Sequence, residues 1–232
     1  MKTQSKKNDL LELSVVEANK WLGYGLKKKE EKEVNNLLIG GNEDHLIESF
    51  HKKLEFGTGG MRGLIGIGSN RINSYTISLA TQGLCNYLKK ICENTKSAVI
   101  AYDSRRFSKE FGNQTAKIFS ANNIKSYIFT DLRPTPELSF AVRELNCSCG
   151  IVITASHNPK EYNGYKVYWN DGGQITSPHD KNIISEVEKI TDFNQINFNF
   201  NNDLIIEIDT EIDKKYIEKI QSLSLYDNSK SK

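Results

Sequence analysis

The sequence predicts an α/β fold: a three-layer α/β/α domain with a mostly parallel mixed sheet, preceded by an N-terminal helical arm. Three observations carry this expectation. Short runs of strand length, Ala98-Val99-Ile100-Ala101-Tyr102, Tyr127-Ile128-Phe129 and Gly150-Ile151-Val152-Ile153, alternate with stretches of helical length, the order that builds a parallel sheet through crossover helices. The runs are apolar throughout, as suits strands covered on both faces. The segment before them shows helical spacing instead.

Residues 8 to about 53 read as helical because Leu10, Leu11, Leu13, Val16, Trp21 and Leu22 recur at roughly helical spacing. The mixed run Lys27-Lys28-Lys29-Glu30-Glu31-Lys32-Glu33 suits a solvated helix face. Gly40-Gly41-Asn42 interrupts the pattern, and Asn42 is placed to cap a helix through Phe50. The texture then changes to Gly57-Thr58-Gly59-Gly60-Met61-Arg62-Gly63, with Ile65 and Ile67 in extended spacing after it. Ser74 is placed to cap a helix over Tyr75 to Cys92, with Ile77, Leu84, Leu88 and Ile91 on one face. The strand 98–102 ends at Asp103. Ser108 to Asn122 reads as helix, and Thr135 or Pro136 opens another that runs to about Leu145. After the strand 150–153, a polar loop from Thr154 to Gly164 leads into Tyr165-Lys166-Val167-Tyr168-Trp169, and a helix from Pro178 to Ile190 closes the domain. Residues 193–202 form an asparagine-rich connection. Leu204 to Ile208 and Glu211 to Leu223 read as a strand and a helix with nothing further to pack against, and Asp227 to Lys232 as a frayed tail. The expected division is an arm at 1–50, the α/β/α domain at 51–190, and a linker with the truncated start of a second domain at 191–232.

Composition removes several function classes. The 31 basic and 29 acidic side chains leave a net charge of +2, too small a surplus for bulk nucleic-acid binding. No stretch reaches the roughly 18–20 apolar residues of a membrane span. No apolar signal segment follows the polar N-terminus, so a cytoplasmic location without a membrane partner is expected. Four cysteines are too few for a disulfide scaffold in a chain of this length. Cys147 and Cys149, two apart on a strand, are expected to share one face as small buried residues, and no second Cys/His pair gives them zinc spacing. No G-x-G-x-x-G lies between a strand and a helix, which argues against a dinucleotide site.

Ligands of such sheets sit at the carboxyl ends of the strands, where Asp103 and the 154–164 loop fall. Ser156, in Thr154-Ala155-Ser156-His157-Asn158-Pro159, follows a buried strand in a loop held by Pro159 and Gly164, so it is presented rather than packed. The alternative is an ST-turn in which Ser156 and Asn158 serve the local backbone. A hydrolase pairing of Ser156 with His157 is excluded: neighbours on an extended segment point opposite ways, and the G-x-S-x-G elbow is absent.

The Thr-Ala-Ser-His-Asn-Pro run, with Tyr162-Asn163-Gly164-Tyr165-Lys166 after it, resembles the active-site signature of the α-D-phosphohexomutase superfamily, which includes phosphoglucomutase, phosphomannomutase and phosphopentomutase. Phe56-Gly57-Thr58-Gly59-Gly60-Met61-Arg62-Gly63 resembles the family's N-terminal glycine-rich segment, and Ala101-Tyr102-Asp103-Ser104-Arg105 its strand-end Asp-x-Arg motif. Thr135-Pro136 stands where the family has a threonine-proline pair. The resemblance covers about residues 50 to 190, the family's first domain, and is nearest the phosphoglucomutase/phosphopentomutase branch. It implies that Ser156 carries the transferred phosphoryl group. A phosphoserine brings nearly two negative charges that need neutralising. The resemblance assigns Arg62 and Lys166 to the transfer centre, Arg62 as a fork on phosphoryl oxygens and Lys166 in proton transfer. His157 is implied to bond near the phosphoserine. Thr58, Gly59, Gly60, Asn158, Asp103 and Arg105 are the implied substrate- or phosphate-binding residues. Glycine lets backbone N–H groups approach an anion, although a simple turn explains that run as well. Asp103 and Arg105 read equally as a local ion pair or as residues that position the loop.

The sequence departs from the family beyond residue 190. The Asp-Gly-Asp-x-Asp-Arg loop that holds magnesium is missing, and its one partial echo, Asp171-Gly172-Gly173, reads as a hairpin turn. Ser156 would be a metal ligand only through its phosphate. The sugar-specificity and distal phosphate loops are also missing. The resemblance therefore implies the N-terminal part of a sugar-phosphate mutase, an intramolecular phosphotransferase of carbohydrate metabolism. Its implied needs are Mg2+, a sugar bisphosphate activator, a sugar phosphate substrate and the remaining mutase domains on a separate chain. Such a part is expected to be inactive alone. The alternative is a non-catalytic module, derived from such an enzyme, that binds a sugar phosphate or a partner.

Overall fold

The computed structural model describes residues 2–91 and 96–225, with side chains from residue 6 onward. Cys92 and the tail expected to fray lie outside the described residues. Helices α1 (Lys2–Leu22), α2 (Lys28–Ile39) and α3 (Glu43–Phe50) form the arm. The hairpin β1 (Phe56–Gly57) and β2 (Gly60–Leu64) follows, then α4 (Ser74–Ile91), β3 (Ser97–Tyr102), α5 (Ser108–Ala121), β4 (Lys125–Phe129), α6 (Thr135–Glu144), β5 (Cys149–Ile153), β6 (Tyr162–Trp169), α7 (His179–Glu188), β7 (Ile205–Ile208) and α8 (Thr210–Ser222).

The sheet runs β1-β2-β6-β5-β3-β4-β7. Strands β5, β3, β4 and β7 are parallel to their neighbours within that block, while β6 runs antiparallel to β5, and β2 antiparallel to β6. The mixed, three-layer architecture follows from side-chain alternation. Ala98, Ile100, Cys149, Ile151 and Ile153 meet Ile77, Leu84, Leu88, Phe111, Phe119 and Ile183 of α4, α5 and α7 on one face. Val99, Ala101, Phe129 and Val152 meet Leu138, Ala141, Val142 and Ile212 of α6 and α8 on the other. A third cluster, Ala18, Trp21, Val34, Leu46 and Phe50, closes the arm. Trp21 joins it to the domain, with ring centroids 5.5 Å from Tyr75 and 5.6 Å from Phe193.

Several expectations need correcting. Asn73, not Ser74, caps α4, its Oδ1 accepting from the backbone N–H groups of Tyr75 (3.1 Å) and Thr76 (2.9 Å). Ile91 is exposed at the end of that helix. In α1 the inward stripe is the buried Ala18 and Trp21 with the half-buried Leu11, Val15 and Leu22, so Leu13 and Val16 face outward. Cys147 and Cys149 are both buried but on opposite faces, because Cys147 precedes β5 and escapes its alternation. The last strand and helix do find partners. β7 pairs in parallel with β4, from Ser126↔Ile205 to Phe129↔Ile208, and α8 buries Ile212 and sets Tyr216 5.6 Å from Phe140 of α6. Asp171-Gly172-Gly173 is the expected turn, with Trp169 N–H donating to the Gly173 carbonyl and Gly172 N–H to that of Trp169.

Candidate active site

The carboxyl ends of β3 and β5 carry the site. Thr154 N–H still donates to the Gly164 carbonyl (3.1 Å), and Ala155 is buried. The chain then turns outward at Ser156, whose φ of 60° lies in the left-handed region that non-glycine residues seldom enter. An ST-turn is present, but Thr154 makes it: its Oγ1 accepts from Ser156 N–H at 3.0 Å. The Ser156 hydroxyl is exposed and, among the described residues, meets only His157 Nδ1, at 3.4 Å; the two side chains do not point apart as expected, because the left-handed turn at Ser156 breaks the extended alternation.

One side chain holds this loop. Arg105 donates through Nη2 to the carbonyls of Ser156 (2.9 Å) and Asn158 (2.7 Å), and through Nη1 to those of Pro159 (2.9 Å) and Tyr162 (3.0 Å). Its Nε faces Asp103 Oδ2 at 3.4 Å. Asp103 Oδ1 accepts from Arg105 N–H and Ser108 Oγ–H, both at 2.9 Å. A guanidinium has five N–H donors, and here all five are directed at the protein. These contacts tie the carbonyls of residues 156, 158, 159 and 162 to the Asp103 corner, and the local ion pair of Asp103 with Arg105 is present. Asn163 escaped the sequence reading. Fully buried, it donates to the Arg106 carbonyl (3.1 Å) and Ser108 Oγ (2.9 Å) and accepts from Gly164 N–H, locking the 103–108 segment to β6. Its place just before the glycine near the start of β6 was the available signal.

The antiparallel register positions the other cations. Arg62 lies opposite Gly164, and Lys166 opposite Gly60 on one side and Val152 on the other. Arg62 and Lys166 therefore share the sheet face of Val152, while Met61 and Tyr165 turn into the opposite core. Arg62 Nη1 donates to Asn158 Oδ1 at 2.6 Å, tying β2 to the serine loop and leaving the rest of its fork unused among the described residues. Lys166 has no ion-pair partner among them.

The glycine-rich segment is placed differently. Thr58 and Gly59 are the tip of the β1–β2 hairpin, and Gly60 pairs with Lys166, two residues further along β6 than the Gly164 that adjoins Thr154. The register carries Arg62, not Thr58, Gly59 or Gly60, to the serine loop. The glycines have a packing reason: a Cβ at Gly60 would stand 1.9 Å from the Tyr165 carbonyl oxygen, and one at Gly59 2.2 Å from Gln174 Nε2.

The serine side chain is exposed. A cleft of about 530 Å3 adjoins the loop through Arg106 and Glu161, but Ser156, Arg62 and Lys166 do not line it. The donor set does not fit magnesium. Among the described residues no cluster of three metal-binding side chains occurs, and Asp103 is committed to Arg105 and Ser108. Magnesium prefers an octahedral oxygen shell with one or two carboxylates, which this loop does not supply.

Residues 53–194 match the model of the phosphoglucomutase/phosphomannomutase α/β/α domain I. The chain belongs to the phosphoglucomutase/phosphomannomutase family. It is 41% identical over 181 residues to a phosphopentomutase of Homo sapiens, covering 75% of this chain and 30% of that protein. It is 36% identical over 229 residues to a glucose 1,6-bisphosphate synthase of Mus musculus, covering 91% and 36%. A phosphoglucomutase of Staphylococcus aureus (strain USA300) is 40% identical over 182 residues, covering 77% and 33%. The crystal structure of a protein described as a phosphomannomutase, from Thermus thermophilus, superimposes with a TM-score of 0.63 at 25% identity, over 74% of this chain and 36% of that one. The chain thus spans about a third of the length of the mutase-family proteins it matches. No helix among its described residues is long and apolar enough to cross a membrane.

Proposed function

We propose that this chain is the phosphoserine-bearing part of a cytoplasmic sugar-phosphate mutase of the phosphoglucomutase/phosphopentomutase kind, with Ser156 as the phosphoryl carrier. The observation that carries the reading is the exposed Ser156 hydroxyl on a backbone turn fixed by Arg105, with Arg62 bonded to the same loop. A serine hydroxyl is a weak nucleophile and needs a nearby cation and a base. In the transfer, the bond from phosphorus to Ser156 Oγ breaks as one forms to a sugar hydroxyl, whose proton passes to a base. The resemblance gives that role to Lys166. Arg62 offsets phosphoryl charge with the part of its fork not given to Asn158. His157, Asn158 and the Thr58-Gly59-Gly60 tip are proposed to meet the substrate side. Magnesium carboxylates and the grip on the distal sugar phosphate come from mutase domains beyond these residues, and a sugar bisphosphate primes the serine. The lack of a magnesium donor set among the described residues favours one further reading, a non-catalytic sugar-phosphate-binding module.

Complementation separates the two. The chain is mixed with a second chain carrying the remaining mutase domains, magnesium and a hexose bisphosphate, and sugar 1-phosphate conversion is followed. Turnover with the native chain but not with Ser156→Ala supports the enzyme. Sugar-phosphate binding unchanged in Ser156→Ala, with no turnover in either mixture, supports the module.

A further inference from the structure

The corner that fastens β7 and α8 to the sheet contains a carboxyl group that the serine site does not use. Glu137, in the first turn of α6, is buried, and its Oε1 has no hydrogen-bond partner. Arg133 is the cation beside it. Its Nε donates to Asp213 Oδ1 (2.7 Å), Nη2 to Asp213 Oδ2 (2.8 Å) and Nη1 to the Leu132 carbonyl (2.8 Å), and Nη2 also lies 3.4 Å from Asp209 Oδ1. Glu137 Oε1 is left 3.8 Å from Nε, beyond hydrogen-bond reach. A buried carboxylate without a partner is unfavourable, and such a group neutralises instead.

We propose that Glu137 holds a proton, shared with Asp213, and that this proton latches α8 and β7 onto α6 and β4. Both carboxyl groups face the same Arg133 Nε, Asp213 Oδ1 at 2.7 Å and Glu137 Oε1 at 3.8 Å, and a proton held between them would fill the missing bond at Oε1. Burial, the largest influence, pushes Glu137 up to about 7, whereas the hydrogen bond from Arg133 holds Asp213 below the usual range. The N-terminus of α6 favours ionised Glu137, more weakly. The segments that meet at the corner also carry Asp131 on the β4–α6 loop, Glu207 on β7, and Asp209, Glu211 and Lys215 at α8, with Lys215 bonded to Glu144 of α6. Lys109 of α5 and the Tyr102 hydroxyl of β3 both donate to the Thr130 carbonyl, and Thr130 Oγ1 donates to Asp209.

The latched state binds a proton that the released state lacks, so docking weakens as pH rises from about 4.5 to about 7 and is constant above. Asp213 acts only below the ordinary aspartate range and does not oppose this window. Hydrogen exchange of the 232-residue chain, corrected for intrinsic rates, reads the opening of α8 and β7. Between about pH 5.5 and about pH 7.5 the opening constant is expected to rise roughly tenfold or more, and in Glu137→Gln to stay flat. A flat native profile, or an equal slope in Glu137→Gln, overturns the latch. If Glu137→Gln does not fold, a carbon-13 carboxyl titration of the native chain decides: a Glu137 midpoint of about 7 supports the latch, and an ordinary glutamate midpoint overturns it.

Discussion

Ser156, Arg105 and Arg62 divide the work at the serine loop, and substitutions should separate their roles. Arg105 contacts carbonyl oxygens at four positions of the loop. Its loss removes several charge-assisted hydrogen bonds, each contributing about 1.5–3 kcal/mol to order. We expect Arg105→Ala to slow phosphorylation of Ser156 about 100-fold, the usual effect of about 1 Å of misplacement. Arg105→Lys should not restore it, because one ammonium cannot reach four carbonyls. Arg62→Ala gives up one loop bond and a phosphoryl contact but leaves the Arg105 clamp. Phosphorylation rates measured beside the amide spectrum of residues 154–162 check the distinction. Arg62→Ala should slow phosphorylation while the loop resonances stay in place, and Arg105→Ala should move them. Loop resonances unmoved by Arg105→Ala would remove its positioning role.

At the scale of elements, close approaches decide what each can accept. Gly150 of β5 lies under α6, where an added Cβ would come within 2.5 Å of Val142 Cγ2 and 3.2 Å of Leu138 Cδ2. Gly150→Ala should destabilise by about 1–3 kcal/mol through overpacking, read by chemical denaturation. Trp21 is fully buried between arm and domain. Trp21→Ala should cost about 3–5 kcal/mol, with the loss read as a lowered melting temperature; an unchanged melting temperature would mean that the arm does not share the domain's unfolding. The strands and helices of the central domain were legible because their apolar runs and spacings are local signals. What escaped was set by distant partners. Ile205 to Ile208 shows a strand signal, but nothing in it names β4 as its neighbour. The helical spacing of α1 admits more than one stripe, and packing against α2, α3, Tyr75 and Phe193 selects Leu11, Val15, Ala18, Trp21 and Leu22. At the site, the motifs point to Ser156, Arg62 and Lys166, and the structure bonds Arg62 to the serine loop and sets Lys166 on the same sheet face, whereas the engagement of the Arg105 donors and the lock at Asn163 depend on how two loops meet.

The whole molecule presents an exposed Ser156 loop without a magnesium donor set among the described residues. We expect no useful mutase turnover from the 232-residue chain alone. Missing metal and distal-phosphate contacts would remove several kcal/mol of transition-state stabilisation, roughly three orders of magnitude or more in rate. A coupled assay with glucose 1-phosphate or ribose 1-phosphate checks this, and turnover near that of ordinary enzymes would refute it. The most direct measurement of the central claim is peptide-level mass spectrometry of the chain after incubation with a hexose bisphosphate and magnesium, with the remaining mutase domains supplied as a separate chain. A single phosphate on Ser156, absent in Ser156→Ala, is the expected result. Phosphate on Ser104 or Ser108 instead, or undiminished labelling of Ser156→Ala, would contradict the account.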